Sequence, residues 1–537
     1  MSYSSGCENR LAVPIPFALL ENIKIYFEES LPLDALDLLK RLLITGKTII
    51  PPKGQKWHPN SAIPPPSYID LASTFAIHPR HTTHSKSRED HRVAIEALDY
   101  LQHIPALLAI RDSGLSQTFR FEDTRSADGQ RWERGTKRKA RVALDQSEGD
   151  AGAFDDDLIN HPIARDGVWA QATDFWHVVG WAMNCAVRWR GRWVYWQLWM
   201  EFVVAVLERD VRERNVRERI SLRDSGEGGE AGKLEESMIG RFLLLNEPGE
   251  GRQVWKRAVL AIFADGSERA VSQFPPVWRD ETKEPKEGDY KAPKTIADDD
   301  GSGDWLRHTG PEVRDLRIRL MALLLEVCNE TQSTSSLTHD DLSDLLASHI
   351  THLPYPVYSH LLRPSPHDTL LPADLLNLTQ IIISWLIDHA APPNPDPDDS
   401  PTQDTLATCF LPFAANTSAL EDNVRLSWAL EVLVRMYFDA ERDARPAPEL
   451  LQALKVGIEA REMRVQGAKV RGGEKGVEDE WFRGELEESS WRLRAVVEAV
   501  GGKGRRVQEE RGKVDLSDPV VKARVIAEME AEWAALE

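Results

Sequence analysis

The sequence predicts an all-α fold, either an irregular helical bundle or a HEAT-like α-solenoid, with several long disordered insertions. Apolar residues recur at three- and four-residue spacing in most apolar segments, which is the helical period, as at Leu36, Leu39, Leu42 and Leu43. Clean runs of alternating β-branched residues joined by two-residue turns do not occur in the sequence. Trp385 and Trp428 lie in similar apolar segments 43 positions apart, a spacing typical of HEAT repeats. Two occurrences leave the solenoid and the bundle equally open.

Shifts in composition divide the chain into six segments. We expect N-terminal helices over residues 1–110, a disordered basic and acidic insertion over 111–157, a tryptophan-rich helical core over 158–278, a charged linker over 279–304, a C-terminal helical unit over 305–466 and a charged helical tail over 467–537. The insertion is rich in charged residues and poor in apolar ones, which favours disorder. The linker is almost entirely charged or turn-forming and predicts the main domain boundary. A length of 537 residues fits two to four structural units or one extended superhelix.

The N-terminal segment predicts three helices and one proline-rich loop. Residues 17–43 have helical periodicity that Pro32 splits into two short helices. The next segment, residues 49–70, contains too many prolines to sustain a helix. A further helix is expected at about residues 90–110.

Seven of the 17 tryptophans of the chain fall in residues 169–199 and predict the centre of the fold. We expect one helix over about 174–187 with Asp174 as its N-cap, a turn that contains Gly191, and a second helix over about 192–219. Trp196, Met200 and Val203 recur at helical spacing, which is typical of a buried face. Most of the rings are therefore expected in the core, as large buried aromatic side chains.

The turn between these two helices has a second interpretation. Arg188, Arg190 and Arg192 surround Trp189 in sequence. An exposed aromatic ring among cationic side chains could stack on the bases of single-stranded nucleic acid. The alternative is structural, with the arginines capping the turn or stacking on tryptophan rings by cation–π contacts.

Beyond the linker the periodicity again predicts helices. We expect them at residues 311–328, 338–352, 372–389, 418–440 and 448–466. Pro311 stands at the start of the first of these, a position where proline is favoured in helices. Residues 480–537 are charged, helical in pattern and weakly apolar.

The charge balance and the cysteines restrict the class of protein. A formal net charge of -20 argues against a surface that follows nucleic acid along its whole length, because such binding requires phosphate neutralisation by Lys and Arg. A local basic patch stays open, so nucleic acid is not the primary expected partner. The four cysteines, Cys7, Cys185, Cys328 and Cys409, are too widely spaced for a zinc knuckle or a dense disulfide framework. A reducing compartment is the simpler interpretation.

Nothing in the sequence predicts membrane insertion or secretion. The apolar run after Arg10 is interrupted by Pro14 and Pro16, and no small-residue cleavage site follows. The longest apolar stretch is broken by Gln197 and Glu201 before it reaches the length of a membrane span. We therefore expect a soluble protein with no membrane partner.

A basic cluster in the predicted insertion indicates a nuclear location. Lys137, Arg138, Lys139 and Arg141 follow one another in a segment that is expected to be accessible. Such clusters are the ordinary form of a nuclear localisation signal. The predicted location is nuclear, and the alternative is cytoplasmic.

The densest histidine cluster contains His78, His81, His84 and His91. Imidazoles bind zinc and similar metals, so a metal-dependent enzyme is one hypothesis. The spacing matches no familiar metal site, and the favoured interpretation is a polar capping loop before the next helix. The sequence contains no HExxH motif and no glycine-flanked catalytic serine. We therefore assign no catalytic residue, no cofactor, no metal site and no small-molecule substrate.

These observations favour a non-catalytic helical scaffold that binds other proteins of a larger nuclear complex. Stacked helices commonly serve as extended binding surfaces. The alternatives are a helical nucleic-acid-binding protein that uses the turn at residues 188–193, and a metal-dependent enzyme built on the cluster at residues 78–91.

Overall fold

We describe the protein from a computed structural model. The structure describes residues 9–45, 59–119, 121, 159–225, 234–244, 251–283, 310–331, 337–365, 368–395, 399–441, 444–466 and 474–500. Over these residues the fold is all-α, as the sequence predicts, with 19 α-helices and one two-stranded sheet. None of the described helices is both long enough and apolar enough to cross a lipid bilayer.

The chain divides between Leu337 and Thr338 into two compact units, which we call the N-terminal unit and the C-terminal unit. The sequence predicts the boundary earlier, in residues 279–304. The difference arises because the helix Pro311–Glu330, which the sequence assigns to the C-terminal unit, packs within the N-terminal unit. Its Arg319 donates hydrogen bonds of 2.6 and 2.7 Å to the two carboxylate oxygens of Glu208, which fixes this helix there.

The N-terminal unit contains twelve α-helices and two strands among its described residues. The strands are β1 (Leu11–Pro14) and β2 (Asn60–Ile63). The helices are α1 (Phe17–Glu28), α2 (Pro32–Thr45), α3 (Pro66–Ile77), α4 (Arg88–Leu107), α5 (Leu115–Thr118), α6 (Val168–Gln171), α7 (Phe175–Arg188), α8 (Arg190–Ser225), α9 (Met238–Leu244), α10 (Gly251–Ile262), α11 (Glu268–Gln273) and α12 (Pro311–Glu330). Short 3-10 turns lie at Pro79–His81, Ile110–Asp112, Pro162–Asp166 and Leu234–Glu236.

Helices α1, α2 and α4 follow the predicted pattern, whereas α3 begins at Pro66, inside the segment that the sequence assigns to a proline-rich loop. Helices α1 and α2 are separate, and Leu36, Leu39 and Leu43 of α2 are buried on one face. Helix α4 begins after Ser87, whose Oγ accepts a hydrogen bond of 3.0 Å from the backbone N–H of Asp90. The sequence does not predict the small sheet, in which β1 and β2 pair in parallel from Leu11 opposite Asn60 onwards.

Residues 111–119, which the sequence assigns to the disordered insertion, are packed in the N-terminal unit. Residues 110–112 form a 3-10 turn, and α5 follows at Leu115–Thr118. Leu115 and Phe119 are buried, so this part of the chain belongs to the core. Residues 120 and 122–158 lie outside the described residues, and the basic cluster at 137–141 is among them.

The tryptophan-rich pair of helices is present, with a tighter connection than predicted. Asp174 caps α7 as expected, because its Oδ1 accepts a hydrogen bond of 2.7 Å from the backbone N–H of His177. Helix α8 begins at Arg190, so Trp189 alone separates the two helices. Gly191, which the sequence places in the turn, is inside the first turn of α8.

The C-terminal unit contains seven described α-helices. They are α13 (His339–Thr351), α14 (Tyr355–Leu362), α15 (Pro372–Leu386), α16 (Gln403–Thr405), α17 (Leu420–Ala440), α18 (Pro448–Gln466) and α19 (Glu474–Val500), and a π-helical turn at Leu406–Phe410 follows α16. Helix α17 packs against α14, α15, α18 and α19. A regular helical repeat is not confirmed, and the two tryptophans that suggested one differ in environment, with Trp385 40% exposed and Trp428 6% exposed.

Helix α19 falls in the predicted charged tail and carries part of the core. Leu486 and Leu493 are buried. The Ser489 hydroxyl lies 2.9 Å from that of Ser427 on α17, and Arg492 donates a hydrogen bond of 2.9 Å to Glu431. Residues 474–500 therefore belong to the packed C-terminal unit.

Gly457 permits α18 to lie closer to the backbone of Leu411 than a residue with a Cβ atom would allow. A Cβ atom at this position of α18 would lie 1.6 Å from the backbone carbonyl oxygen of Leu411, just after the π-helical turn. We expect Gly457→Ala to destabilise the C-terminal unit by about 1–3 kcal/mol or more, because a backbone atom must move. This outweighs the gain of up to about 1 kcal/mol in helix propensity. Calorimetric unfolding of the full chain measures the change.

Gly484 on α19 provides the control for this substitution. A Cβ atom there would meet nothing within 4 Å. Gly484→Ala should therefore be neutral or stabilising by up to about 1 kcal/mol. Equal effects of the two substitutions would contradict the close contact between α18 and Leu411.

Candidate functional site

The tryptophan-rich segment forms the core of the N-terminal unit, as the sequence predicts. Six of its seven rings are at most 7% exposed, namely Trp169, Trp176, Trp181, Trp193, Trp196 and Trp199. Trp189, in the connection between α7 and α8, is half-buried. These rings therefore contribute mainly buried apolar area.

Trp189 already has two neighbours on its ring. The guanidinium carbon of Arg188 lies 5.1 Å from the ring centroid, which is the predicted cation–π contact. The ring of Trp181 lies 4.9 Å away at an interplanar angle of 42°. Arg188 is exposed and Arg190 is half-buried. A base that stacked on Trp189 would have to displace one of these contacts.

Arg192 is directed into the core rather than into solvent, and its side chain is 3% exposed. Its guanidinium donates hydrogen bonds of 2.9 and 2.6 Å to Oε1 of Glu281. It also donates a bond of 2.7 Å to the carbonyl oxygen of Ile77 and one of 2.5 Å to the hydroxyl of Thr82. This member of the predicted interaction turn is therefore enclosed and fully engaged within the protein.

Glu281 is the partner that the sequence does not predict. It lies in the charged segment assigned to a linker, yet its side chain has no exposed surface. Oε1 also accepts a hydrogen bond of 2.7 Å from Nε1 of Trp196, and Oε2 accepts one of 3.3 Å from the backbone N–H of Trp278. A buried carboxylate is tolerated when it is paired and hydrogen-bonded in this way. The pair joins α8 to the segments on either side and is structural.

The four histidines of the predicted cluster are held by different partners. His81 Nδ1 lies 3.1 Å from the carbonyl oxygen of Asp90, and its ring meets Phe75 edge-on. His78 accepts the backbone N–H of Arg80 at Nδ1. The histidine, cysteine, aspartate and glutamate side chains of the described residues form no group of three or more that could hold a metal ion. The sequence predicts a loop that caps the next helix, and the cap of α4 is Ser87 rather than a histidine; His78 caps the 3-10 turn Pro79–His81.

Burial makes these imidazoles poor bases. It lowers the pKa of His78 to about 3, with further lowering by His81 and Arg192. It lowers the pKa of His81 to about 4, against a smaller opposing effect of the Asp90 backbone carbonyl. The pKa of His161 is lowered for the same reason, with Arg80 as the second cause. All three rings are therefore neutral in the folded protein at neutral pH.

We expect acidification from pH 7 to pH 5 to destabilise the N-terminal unit. Between about pH 6.5 and the folded-state pKa values, the unfolded chain binds more protons than the folded chain. The stabilising contribution of these neutral histidines is therefore fully present above about pH 6.5 and is lost as the pH falls. The loss should be on the order of 1–2 kcal/mol for each of His78 and His81 by pH 5. Thermal unfolding across this pH range measures it.

His78→Asn tests the origin of this pH dependence. Asparagine keeps an oxygen that can accept the Arg80 N–H but does not titrate. The variant should show a shallower fall in stability between pH 7 and pH 5 than the wild type. An unchanged slope would show that His78 does not cause it.

The C-terminal unit contains a cleft that the sequence does not predict. Its volume is about 470 Å³. This is within the range of about 300–1,000 Å³ that is typical of ligand pockets. Its walls are α13, α15, the loop 387–394 and the π-helical turn at Leu406–Phe410. π-helical turns are rare in proteins, and those that occur often lie at functional sites.

The lining of the cleft has an acidic and an apolar part. Asp340 and Asp344 are one helical turn apart on α13 and are both exposed; we call them the acidic pair. Ile381, Ile387 and Phe410 form what we call the apolar lining. Asn377 and Gln380 of α15 add amide groups that can donate and accept hydrogen bonds.

The acidic groups near the acidic pair, Asp374 and Asp388, each contact a basic side chain. Asp374 lies 3.4 Å from Nε2 of His339, and this contact raises the pKa of that imidazole. Asp388 forms an ion pair with Arg464. Burial, followed by the charges of Asp341 and Asp340, raises the pKa of Asp344. The cleft therefore presents negative charge that its own surroundings compensate only in part.

The signal for this cleft is weak in the sequence because its residues come from four separate elements. Asn394 belongs to a proline- and aspartate-rich run that resembles an ordinary linker, and Phe410 lies in a turn with no periodic pattern. The like-charged spacing of the acidic pair is visible in the sequence. It is not specific, since exposed helix faces carry such pairs often.

In comparisons with known proteins, no model of a protein family and no curated protein matches the sequence.

Proposed function

We propose that this protein is a non-catalytic helical scaffold that binds other proteins, and that the cleft of the C-terminal unit is a recognition site for one of them. The observation that carries this proposal is the cleft, whose walls contain both the acidic pair and the apolar lining. Recognition sites in proteins commonly combine an apolar surface for affinity with a few polar groups for orientation.

The pairing of the buried charges in the N-terminal unit favours a structural rather than a catalytic role for them. The guanidinium of Arg192 and the carboxylate of Glu281 satisfy each other inside the core. Nucleic-acid binding through the turn at residues 188–193 is the weaker alternative, because Arg192 is enclosed and Trp189 is covered by Arg188 and Trp181. Nucleic-acid binding would also have to overcome the net charge of -20.

Co-purification of partner proteins with the wild type and with a variant whose cleft is blocked tests the scaffold function. Ser384 lines the cleft and is exposed, so Ser384→Trp adds a ring there without opening the core. Val456 on α18 is 41% exposed and does not line the cleft, so Val456→Trp is the matched control. We expect the tagged Ser384→Trp protein to lose specific partners that the wild type and the control retain. Identical sets of co-purified proteins would contradict recognition through the cleft.

The proposed location is the nucleus, where the scaffold would act within a larger complex. The proposal rests on Lys137, Arg138, Lys139 and Arg141, which lie outside the described residues. Changing all four to alanine should move a tagged protein from the nucleus to the cytoplasm without altering its thermal stability. Fluorescence microscopy measures the location. A variant that stays nuclear would show that this cluster does not direct import.

A further inference from the structure

We propose that the occupant of the cleft is a segment of a partner protein that carries lysine or arginine, with its cationic group at the acidic pair and its aliphatic stem on the apolar lining. This inference rests on the proposed function and specifies its ligand. It follows from the charge of the cleft, the chemistry of its lining and its accessibility.

The charge comes from side chains without a counter-ion. Among the described residues, neither Asp340 nor Asp344 takes part in an ion pair, whereas Asp374 contacts His339 and Asp388 pairs with Arg464. Like charges four positions apart on a helix repel each other. The pKa of Asp344 is raised by burial and by Asp341 and Asp340, which is the direction that a bound cation would reverse.

The lining suits a long cationic side chain better than a bare ion. Lysine and arginine cover apolar surface with their methylene stems and place the charged group in a polar environment. Ile381, Ile387 and Phe410 provide such a surface beside the acidic pair. In the described residues no group of three or more ligating side chains could hold a metal ion.

The accessibility of the cleft suits a peptide segment. Asp340, Asp344, Ser384 and His389 are all exposed at its edge. An extended chain can therefore lie across the opening while one side chain enters. The amide group of Asn377, which is half-buried in the lining, can contact its backbone.

A peptide library tests the proposal with the full-length protein. The probe is a positional-scanning library of short peptides in which one position at a time is fixed as each amino acid. We expect lysine or arginine to be selected at one position, with apolar residues tolerated beside it. The selected peptide is then labelled and its Kd measured by fluorescence anisotropy at low and high salt. Binding should weaken as salt rises, because the contact is ionic.

Variants locate the contact. Asp344→Asn should weaken binding of the selected peptide at least about tenfold, the loss of a charge-assisted hydrogen bond. The raised pKa of Asp344 shows that its ionised form is disfavoured in the fold, so this variant should remain folded and unfold at an equal or higher temperature at neutral pH. Asp439→Asn makes the same charge change at an exposed position of α17 outside the cleft and should leave Kd within about twofold.

The outcomes separate this inference from the proposed function. Selection of peptides without a basic residue, with binding that Ser384→Trp abolishes and Asp344→Asn does not change, would overturn the cationic ligand and leave the cleft as a recognition site. Failure of the library to select any peptide, together with unchanged partners of Ser384→Trp, would overturn both.

Discussion

Trp196→Ala is expected to lower the free energy of unfolding of the N-terminal unit by about 3–5 kcal/mol, the usual cost of removing a large aromatic side chain from a core. The Trp196 side chain is fully buried, and its ring lies 5.6 Å from that of Trp199 and 5.9 Å from that of Trp278. Its Nε1 donates a hydrogen bond to Glu281, so the substitution also removes a donor from a buried carboxylate.

Leu198 on the same helix is the control for this substitution. It is 39% exposed, so Leu198→Ala should change stability by no more than about 0.5 kcal/mol. Differential scanning calorimetry of the full chain measures both variants. A nearly neutral effect of Trp196→Ala, accompanied by loss of ligand binding, would show that the tryptophans form a binding platform rather than a core.

Glu281→Gln is the second substitution with a large expected effect, about 3–5 kcal/mol, because it breaks a buried ion pair and leaves the charge of Arg192 without a counter-ion. Glutamine has nearly the same shape, so the loss reports on charge and hydrogen bonding rather than on packing. The amide oxygen of glutamine can keep the place of Oε1, which accepts the bonds from Arg192 and Trp196, but its NH2 cannot accept the backbone N–H of Trp278 as Oε2 does. Thermal unfolding measures the loss.

A double-mutant cycle separates this pair from its surroundings. Arg192→Met removes the cation but keeps an apolar stem of similar length. The double variant Arg192→Met with Glu281→Gln should cost less than the sum of the two single variants, because each single change strands the partner that the double change removes. Additive losses would mean that the two side chains do not interact energetically.

Helices such as α2 and α7 could be predicted from the sequence because their signals are local. The buried leucines of α2 recur within a few residues, and the Asp174 cap is adjacent to the helix that it begins. The sheet could not be predicted in this way. Its strands have four residues each, include Pro14, and pair across a long stretch of chain, so neither has a recognisable alternating pattern.

The start of the predicted linker is packed in the structure, for a physical reason that the sequence does not show. A charged segment usually lies in solvent, and the run after Trp278 resembles a linker. Glu281 is nevertheless buried, because Arg192, 89 residues earlier in the sequence, provides its counter-ion. Only tertiary structure reveals such a pair. The same reason explains why Arg192 resembled an exposed nucleic-acid contact in the sequence.

The candidate site could be predicted less well than the core. Core positions follow from hydrophobic periodicity, whereas the cleft depends on how α13, α15 and the π-helical turn meet. Asp344 and Phe410 are 66 positions apart and have no common pattern in the sequence. Their proximity results from packing within the C-terminal unit.

Site-specific photo-crosslinking tests most directly whether the cleft recognises partner proteins. A photoreactive amino acid at position 384 lies in the cleft, and the same group at position 456 lies on an exposed surface outside it. We predict that position 384 crosslinks to a lysine- or arginine-containing segment of a partner, that position 456 does not, and that Asp344→Asn reduces the crosslink. Crosslinks of equal yield to the same segments from both positions, unaffected by Asp344→Asn, would contradict recognition through the cleft.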